Sequence, residues 1–226
     1  MITDIRLAGQ QLAAPRFDTP KKLISWMGAI QAQDYAMARW AVGIRLKSAT
    51  ARSVGEAFSR GEILRTHVMR PTWHLVAAED IRWMLKLSAR RIRSANESLA
   101  KGRQLELTEQ LHYRCDRLLE KMLGGNRNLT KQQIGEELNR QGIAADTPRL
   151  TRLLMRAETE AVVCSGPFSG GKQTYALLEE RVPPVPELHP DEALAKLATA
   201  YFRSHSPASL QDFVWWSGLS VTEARH

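Results

Sequence analysis

The 226-residue sequence predicts a mainly α-helical α+β protein with small β-hairpins, built from tandem units of similar plan. Three observations predict it. Apolar residues recur at i, i+3, i+4 and i+7 through most of the chain, the spacing of a helix with one buried face. Short β-prone runs come in pairs, and each pair closes a group of helices. Capping residues and prolines mark helix starts, with glycines after helix ends.

Thr19-Pro20 opens a helix with Leu23, Ile24, Met27 and Ile30 on its buried side, because proline suits the first helical position. A second helix begins near Tyr35, with Asp34 placed to N-cap it and Met37, Trp40, Ala41 and Ile44 assigned to its buried face. A short third helix spans Val54 to Ser59. Ile63 to His67 and Thr72 to Val76 then read as a strand pair broken by Met69-Arg70-Pro71. Three helices followed by a hairpin make residues 1–77 a first winged helix-turn-helix unit. From Ala78 a long helix carries Arg82, Lys86, Arg90 and Arg93 along one stripe.

This helix joins a second winged unit over residues 78–182, with its core at 128–178. Thr130 and Gln133 form a capping box, with Leu129 and Ile134 placed as its hydrophobic staple. That helix runs to about Arg140 and stops near Gly142. Thr147-Pro148 starts the next, whose Leu150, Leu153, Leu154 and Ala157 form a buried face and whose Arg149, Arg152 and Arg156 share another. Ala161 to Cys164 and Gln173 to Leu178 flank a Gly-rich loop and read as a hairpin. In units of this kind the second helix enters a DNA groove and the hairpin touches the backbone. Residues 183–190, with four prolines counted from Pro183 to Pro190, are a linker. Residues 191–226 begin a third unit: a helix over about Asp191 to Ser204, another opened by Ser206-Pro207, a turn at Ser217-Gly218-Leu219 and a capping box at Ser220 and Glu223. The sequence ends barely one turn beyond that box, so this unit reads as incomplete and the chain as a piece of a longer protein.

Charge narrows the function. The net charge is +8, and the excess lies between Arg39 and Arg103, with 14 Lys/Arg against 5 Asp/Glu. A basic block in an otherwise neutral chain points to a polyanion, whose condensed counterions are released on binding. No apolar run approaches the roughly 20 residues of a membrane span. The first residues carry no secretory leader. The expected setting is therefore cytoplasmic, at the nucleoid, without a membrane. Two distant cysteines exclude a disulfide scaffold and a cysteine metal site. Six histidines show no metal-ligand spacing, although His67 and His74 could meet across the first hairpin. Gly166 to Lys172 opens like a phosphate-binding loop, but Gln173 stands where Mg²⁺ requires Ser or Thr, and a strand follows instead of a helix. A hairpin tip, with Lys172 against a DNA phosphate, fits better. No metal, nucleotide or other cofactor is expected, and the oligomeric state expected is a monomer.

The segment Ile30-Gln31-Ala32-Gln33-Asp34 falls between two helices. Two glutamines two apart share a side when the backbone is extended. Their alternative role is local, as polar junction residues bonded to nearby backbone.

Gly28 to Gln33, Leu64 to Val76 with Glu79-Asp80, and Asp212 to Leu219 together resemble the AlkZ/YcaQ-type winged-helix DNA glycosylases. The resemblance implies three tandem winged helices around a concave basic face, in proteins considerably longer than this chain. It also implies a catalytic Gln-apolar-Gln signature, which Gln31-Ala32-Gln33 matches, so Gln31 and Gln33 become the candidate catalytic pair. Glutamine accepts and donates hydrogen bonds but takes no proton near neutral pH. Such a pair suits a base that leaves neutral, as a cationic N7-alkylpurine does, and the resemblance extends the candidates to bulky adducts and interstrand crosslinks. The reading is a monofunctional DNA glycosylase acting on double-stranded DNA. Arg149, Arg152, Arg156 and Lys172 would hold one DNA segment; Arg65, Arg70 and the Arg82/Lys86/Arg90/Arg93 stripe would hold another. The alternatives are a non-catalytic, regulator-like DNA-binding protein and a small-molecule or protein-interaction module.

Overall fold

The computed structural model describes residues 1–48 and 50–225, so His226 lies outside the described residues. It is a helix-dominated α+β chain with two small antiparallel sheets. The first contains β1 (Ile30–Gln31), β2 (Ile63–His67) and β3 (Trp73–Ala77), in the order β1-β3-β2. Around it lie α1 (Ile2–Gly9), α2 (Pro20–Met27), α3 (Tyr35–Gly43) and α4 (Ala51–Ser59). Thr19 caps α2 by accepting from the Lys22 N–H, and Asp34 caps α3 by accepting from the Met37 N–H at 3.1 Å. Leu23, Ile24 and Met27 are buried as the spacing predicts, whereas Ile30 lies beyond the helix in β1 and is half-buried.

The expected buried face of α3 is corrected. Met37 is 58% exposed and Trp40 61%, and Ile44 just beyond the helix is also exposed, whereas Ala38 and Val42 face the core. Both stripes are apolar at helical spacing, so periodicity alone cannot choose between them. The small side chains of Ala38 and Val42 take the inner face, in one cluster with Leu23, Val54 and Phe58.

A turn of 3₁₀ helix over Ala78–Asp80 leads into α5 (Ile81–Gly102). The second sheet follows, with β4 (Leu129–Thr130), β5 (Val163–Ser165) and β6 (Thr174–Leu177) in the order β4-β6-β5. Its helices are α6 (Glu109–Leu123), α7 (Lys131–Arg140) and α8 (Thr147–Thr159), with one turn, α9 (Leu178–Arg181), after β6. The Thr130–Gln133 capping box forms. The sequence reading passes over α6, although Thr108 caps it and Cys115, Leu119 and Met122 carry its buried face.

The two sheets share one topology. In each, a two-residue strand just before a helix pairs with the second strand of a hairpin. One difference separates them. Thr130 ends β4 and is itself the cap of α7, whereas β1 ends at Gln31 and the cap of α3 is Asp34, three positions on. The extra residues leave Gln31 and Gln33 in the junction.

The chain then forms α10 (Pro190–His205), α11 (Leu210–Ser217) and α12 (Val221–Arg225). Ser206-Pro207 does not open α11, as the sequence suggests; Ser209 does, in a capping box with Asp212. A reciprocal cap supplies two bonds that a preceding proline cannot. Leu197, Tyr201 and Phe213 join Leu64, Val76 and Met84 in a central apolar cluster, so α10 and α11 pack onto the first sheet and α5. No helix among the described residues is long and apolar enough to cross a membrane.

A glutamine pair at the seam of two units

Gln31 and Gln33 flank Ala32, which is fully buried, and both glutamines are exposed. Burial of the middle residue is what forces its neighbours outward on extended backbone. Gly28 makes the turn into this strand with a φ of +79°, and a Cβ there would stand 3.1 Å from the Ala200 Cβ. Glycine is therefore required on both backbone and steric grounds. Beyond β1 the Ala32 N–H still donates to the Trp73 carbonyl at 2.7 Å. Gln33 then folds its side chain back, and its Oε1 accepts from the Trp73 N–H at 3.4 Å. This long bond finishes the ladder where backbone pairing stops.

Register decides what lies beside each glutamine. Gln31 pairs with His74, which pairs with Thr66, so the three share one face of the sheet. His67 pairs with Trp73 on the other face. The two histidines are thus on opposite faces and do not meet across the hairpin. His74 is buried beside the Thr72 carbonyl, and burial pushes its pKa down to about 4. The strand beneath Gln31 therefore offers an unprotonated imidazole near neutral pH, and no general acid. Asp34 is engaged as the cap of α3.

Arg65 is half-buried between the units. Its Nε donates to the Ala32 carbonyl at 2.8 Å, one Nη to the Gln33 carbonyl at 3.0 Å and the other to Gln173 Oε1. Its guanidinium lies over the Trp73 ring, 4.5 Å from the centroid. From the second unit, Phe168 packs on Tyr35 with centroids 4.5 Å apart, and Tyr35 on Phe58 at 5.2 Å. The Gly-rich loop between β5 and β6 is thereby docked on α3 and α4, next to the glutamines.

The other expected DNA ligands divide into two groups. Arg82 pairs with Glu179 at 2.9 Å, Lys86 with Glu187 at 3.0 Å, Arg90 with Glu223 at 3.3 Å and Arg93 with Glu160 at 2.6 Å. The α5 stripe thus meets carboxylates from α9, the linker, α12 and the end of α8. Arg149 lies 3.7 Å from Asp146. Arg156 is 8% exposed and gripped by Glu109 at 2.9 and 3.1 Å and by Glu160 at 2.7 Å, so it is a buried tie between α8 and α6. By contrast, Arg65, Arg70, Arg152 and Lys172 have no carboxylate within ion-pair distance among the described residues, and of these Arg70 and Lys172 are exposed. Lys172 stands at the tip of the β5–β6 hairpin, where Ser169 and Lys172 bridge.

The candidate site is thus a pair of exposed, uncharged amides, with Arg65 held against the backbone behind them and the buried, unprotonated His74 as the cross-strand neighbour of Gln31. A DNA glycosylase AlkZ-like family model matches residues 24–226, and the chain belongs to that family. The fold is similar to that of a DNA glycosylase AlkZ from Streptomyces sahachiroi, with a TM-score of 0.73 and 21% identity, over 99% of this chain and 62% of that one. The chain thus spans less than two thirds of that solved structure's length. Comparison with curated protein sequences finds no match.

Proposed function

We propose that this chain is the glutamine-bearing part of a monofunctional DNA glycosylase that removes cationic N7-alkylated purines, bulky adducts and crosslinked purines included, from double-stranded DNA. The observation that carries the reading is the outward pair Gln31 and Gln33 around buried Ala32, at the seam where both small sheets meet. An N7-alkylpurine is already positive, so its bond to the sugar breaks with the base departing neutral, and no general acid is required. Developing positive charge on the sugar is stabilised by the amide carbonyl oxygens, which also accept from an attacking water and hold it in line. The water's proton passes to solvent. A neutral His74 is compatible with this chemistry and incompatible with one that needs a proton donor at that position.

In this reading the two sheet-bearing units act as winged helices on a concave basic face, with a third beginning at residue 191. Arg70, Arg152 and Lys172 are the phosphate ligands with fewest competitors. Arg82 and Lys86 are held by the largely exposed carboxylates of Glu179 and Glu187, and Arg90 and Arg93 by the half-buried ones of Glu223 and Glu160. Exposed pairs such as the first two are worth about 0–1 kcal/mol, so a phosphate can displace them.

The test is incubation of a duplex carrying one N7-methylguanine, followed by alkaline cleavage. Free 7-methylguanine and a strand break at that position are expected. Duplex binding with a steep salt dependence and an intact strand would leave only the non-catalytic, regulator-like role; no salt-dependent binding would leave neither.

A further inference from the structure

We infer that Arg65 is the positioning residue for the glutamine pair, and that Gln173 of the second unit completes its grip. The inference rests on Gln31 and Gln33 being the catalytic pair. In a regular strand, successive carbonyls point in opposite directions, so one side chain cannot reach both. Arg65 reaches the carbonyls of Ala32 and Gln33 at 2.8 and 3.0 Å because the backbone bends at Gln33. The guanidinium therefore constrains the dihedrals between the two carbonyls and, with them, the direction in which the Gln33 amide leaves relative to Gln31, which β1–β3 pairing holds. Its rigid, planar fork of donors is what the task demands; lysine would serve one carbonyl at a time.

Arg65 is itself held from several sides. Its plane lies on Trp73, and its own N–H donates to Ser165 Oγ on β5 at 2.9 Å. Its remaining Nη binds Gln173, the neighbour of exposed Lys172 on the hairpin tip. No carboxylate among the described residues lies within ion-pair distance to draw the guanidinium away from the two carbonyls. Each nitrogen of the guanidinium is thus engaged within the protein, and Arg65 acts on substrate only through the glutamines.

The experiment compares the wild-type chain with Arg65→Lys, Arg65→Ala and Gln173→Ala, using two readouts. The first is amide hydrogen exchange. Loss of the grip speeds exchange across residues 32–35 about tenfold or more, while the β2 and β3 amides keep their protection. The second is single-turnover release of 7-methylguanine at saturating enzyme. Both Arg65 variants slow it by about 10²-fold, the cost of a misplaced reacting geometry, with duplex Kd held within about threefold. Gln173→Ala shifts both readouts in the same direction by less. Should Arg65→Ala not fold, Arg65→Lys and Gln173→Ala carry the test, since both retain the side-chain stem on β2. Unchanged exchange at 32–35 overturns the proposal. So does a phosphate-ligand pattern, in which Kd weakens, the salt slope drops by about one and the saturated rate stays the same. Faster exchange in the variants of a wild type that releases no base would leave the grip standing and remove the glycosylase reading instead.

Discussion

His67 on β2 and Glu158 on α8 meet at 2.6 Å, with side chains 7% and 1% exposed, and tie the first sheet to the second unit under the ring of Trp73. The second carboxylate oxygen of Glu158 is buried without a partner among the described residues, so the pair is incompletely satisfied. Removing one partner of a buried hydrogen bond leaves the other unsatisfied at a cost of about 1–3 kcal/mol, while replacing both by apolar groups of similar shape is often nearly neutral or stabilising. Glu158→Ala is therefore expected to lower the unfolding free energy by about that amount, and His67→Leu/Glu158→Leu to recover most of it. Denaturant titration measures both. A single variant within error of wild type would mean that the pair does not hold the units together.

Two groups shift stability with pH in opposite directions. The buried His74, with its pKa near 4, stays neutral where the unfolded chain takes a proton. Its contribution is complete above pH 6.5 and is lost as pH falls toward 4, with a slope of about 1.4 kcal/mol per unit. Asp116 is raised to about 6, first by burial and then by Glu160, Glu120 and Glu109, against the opposing Arg156. It keeps its proton where the unfolded chain has lost it, so its contribution is present below pH 4 and is lost as pH rises through 6. His74→Gln should therefore leave a stability that falls with rising pH between 4 and 6, and Asp116→Asn one that rises more steeply than wild type. Denaturant midpoints across that range, with no change of slope in either variant, would contradict both assignments.

Arginines that look alike in the sequence should behave differently on DNA. Arg156→Leu removes the tie to Glu109 and Glu160 and is expected to cost about 1–3 kcal/mol of stability while leaving the salt slope of binding unchanged. Arg70→Ala and Lys172→Ala should leave the thermal midpoint alone and each lower the salt slope by about one. Salt-titrated binding beside thermal melts separates these outcomes. A salt slope lowered by Arg156→Leu would return that residue to the DNA face.

The α3 stripe gives a simpler contrast. Trp40→Gln, at a 61% exposed position, should change stability by no more than about 0.5 kcal/mol, and Val42→Ala, fully buried, should cost about 1–3 kcal/mol. The reverse order would restore the Met37/Trp40/Ile44 face to the core.

These contrasts mark where sequence is informative. Capping residues act on their own backbone within three or four positions, so Thr19, Asp34, Thr130 and Ser220 announce their helices directly. The hairpin strands are local in the same sense. Which of two apolar faces of α3 turns inward is decided by residues far away in the chain, among them Phe58 and Phe168, and no window of sequence contains that information. The ion-pair partners of the α5 stripe are hidden from sequence for the same reason: Glu179, Glu187 and Glu223 lie 97 to 133 positions away. Of the candidate site, the exposure of Gln31 and Gln33 around buried Ala32 was legible because polar and apolar residues alternate over those three positions. The Arg65 grip was not, since it gathers Ala32, Gln33, Trp73 and Gln173 from four separate segments.

The central claim is that two neutral amides promote loss of a base already weakened by alkylation. Single-turnover release of 7-methylguanine by wild type and by Gln31→Ala/Gln33→Ala, each at saturating enzyme, measures it most directly. The account predicts a double variant that melts and binds duplex like wild type but releases the base at least about 10²-fold more slowly, the usual cost of losing preorganised electrostatic groups. Equal rates of release from the two proteins would contradict it.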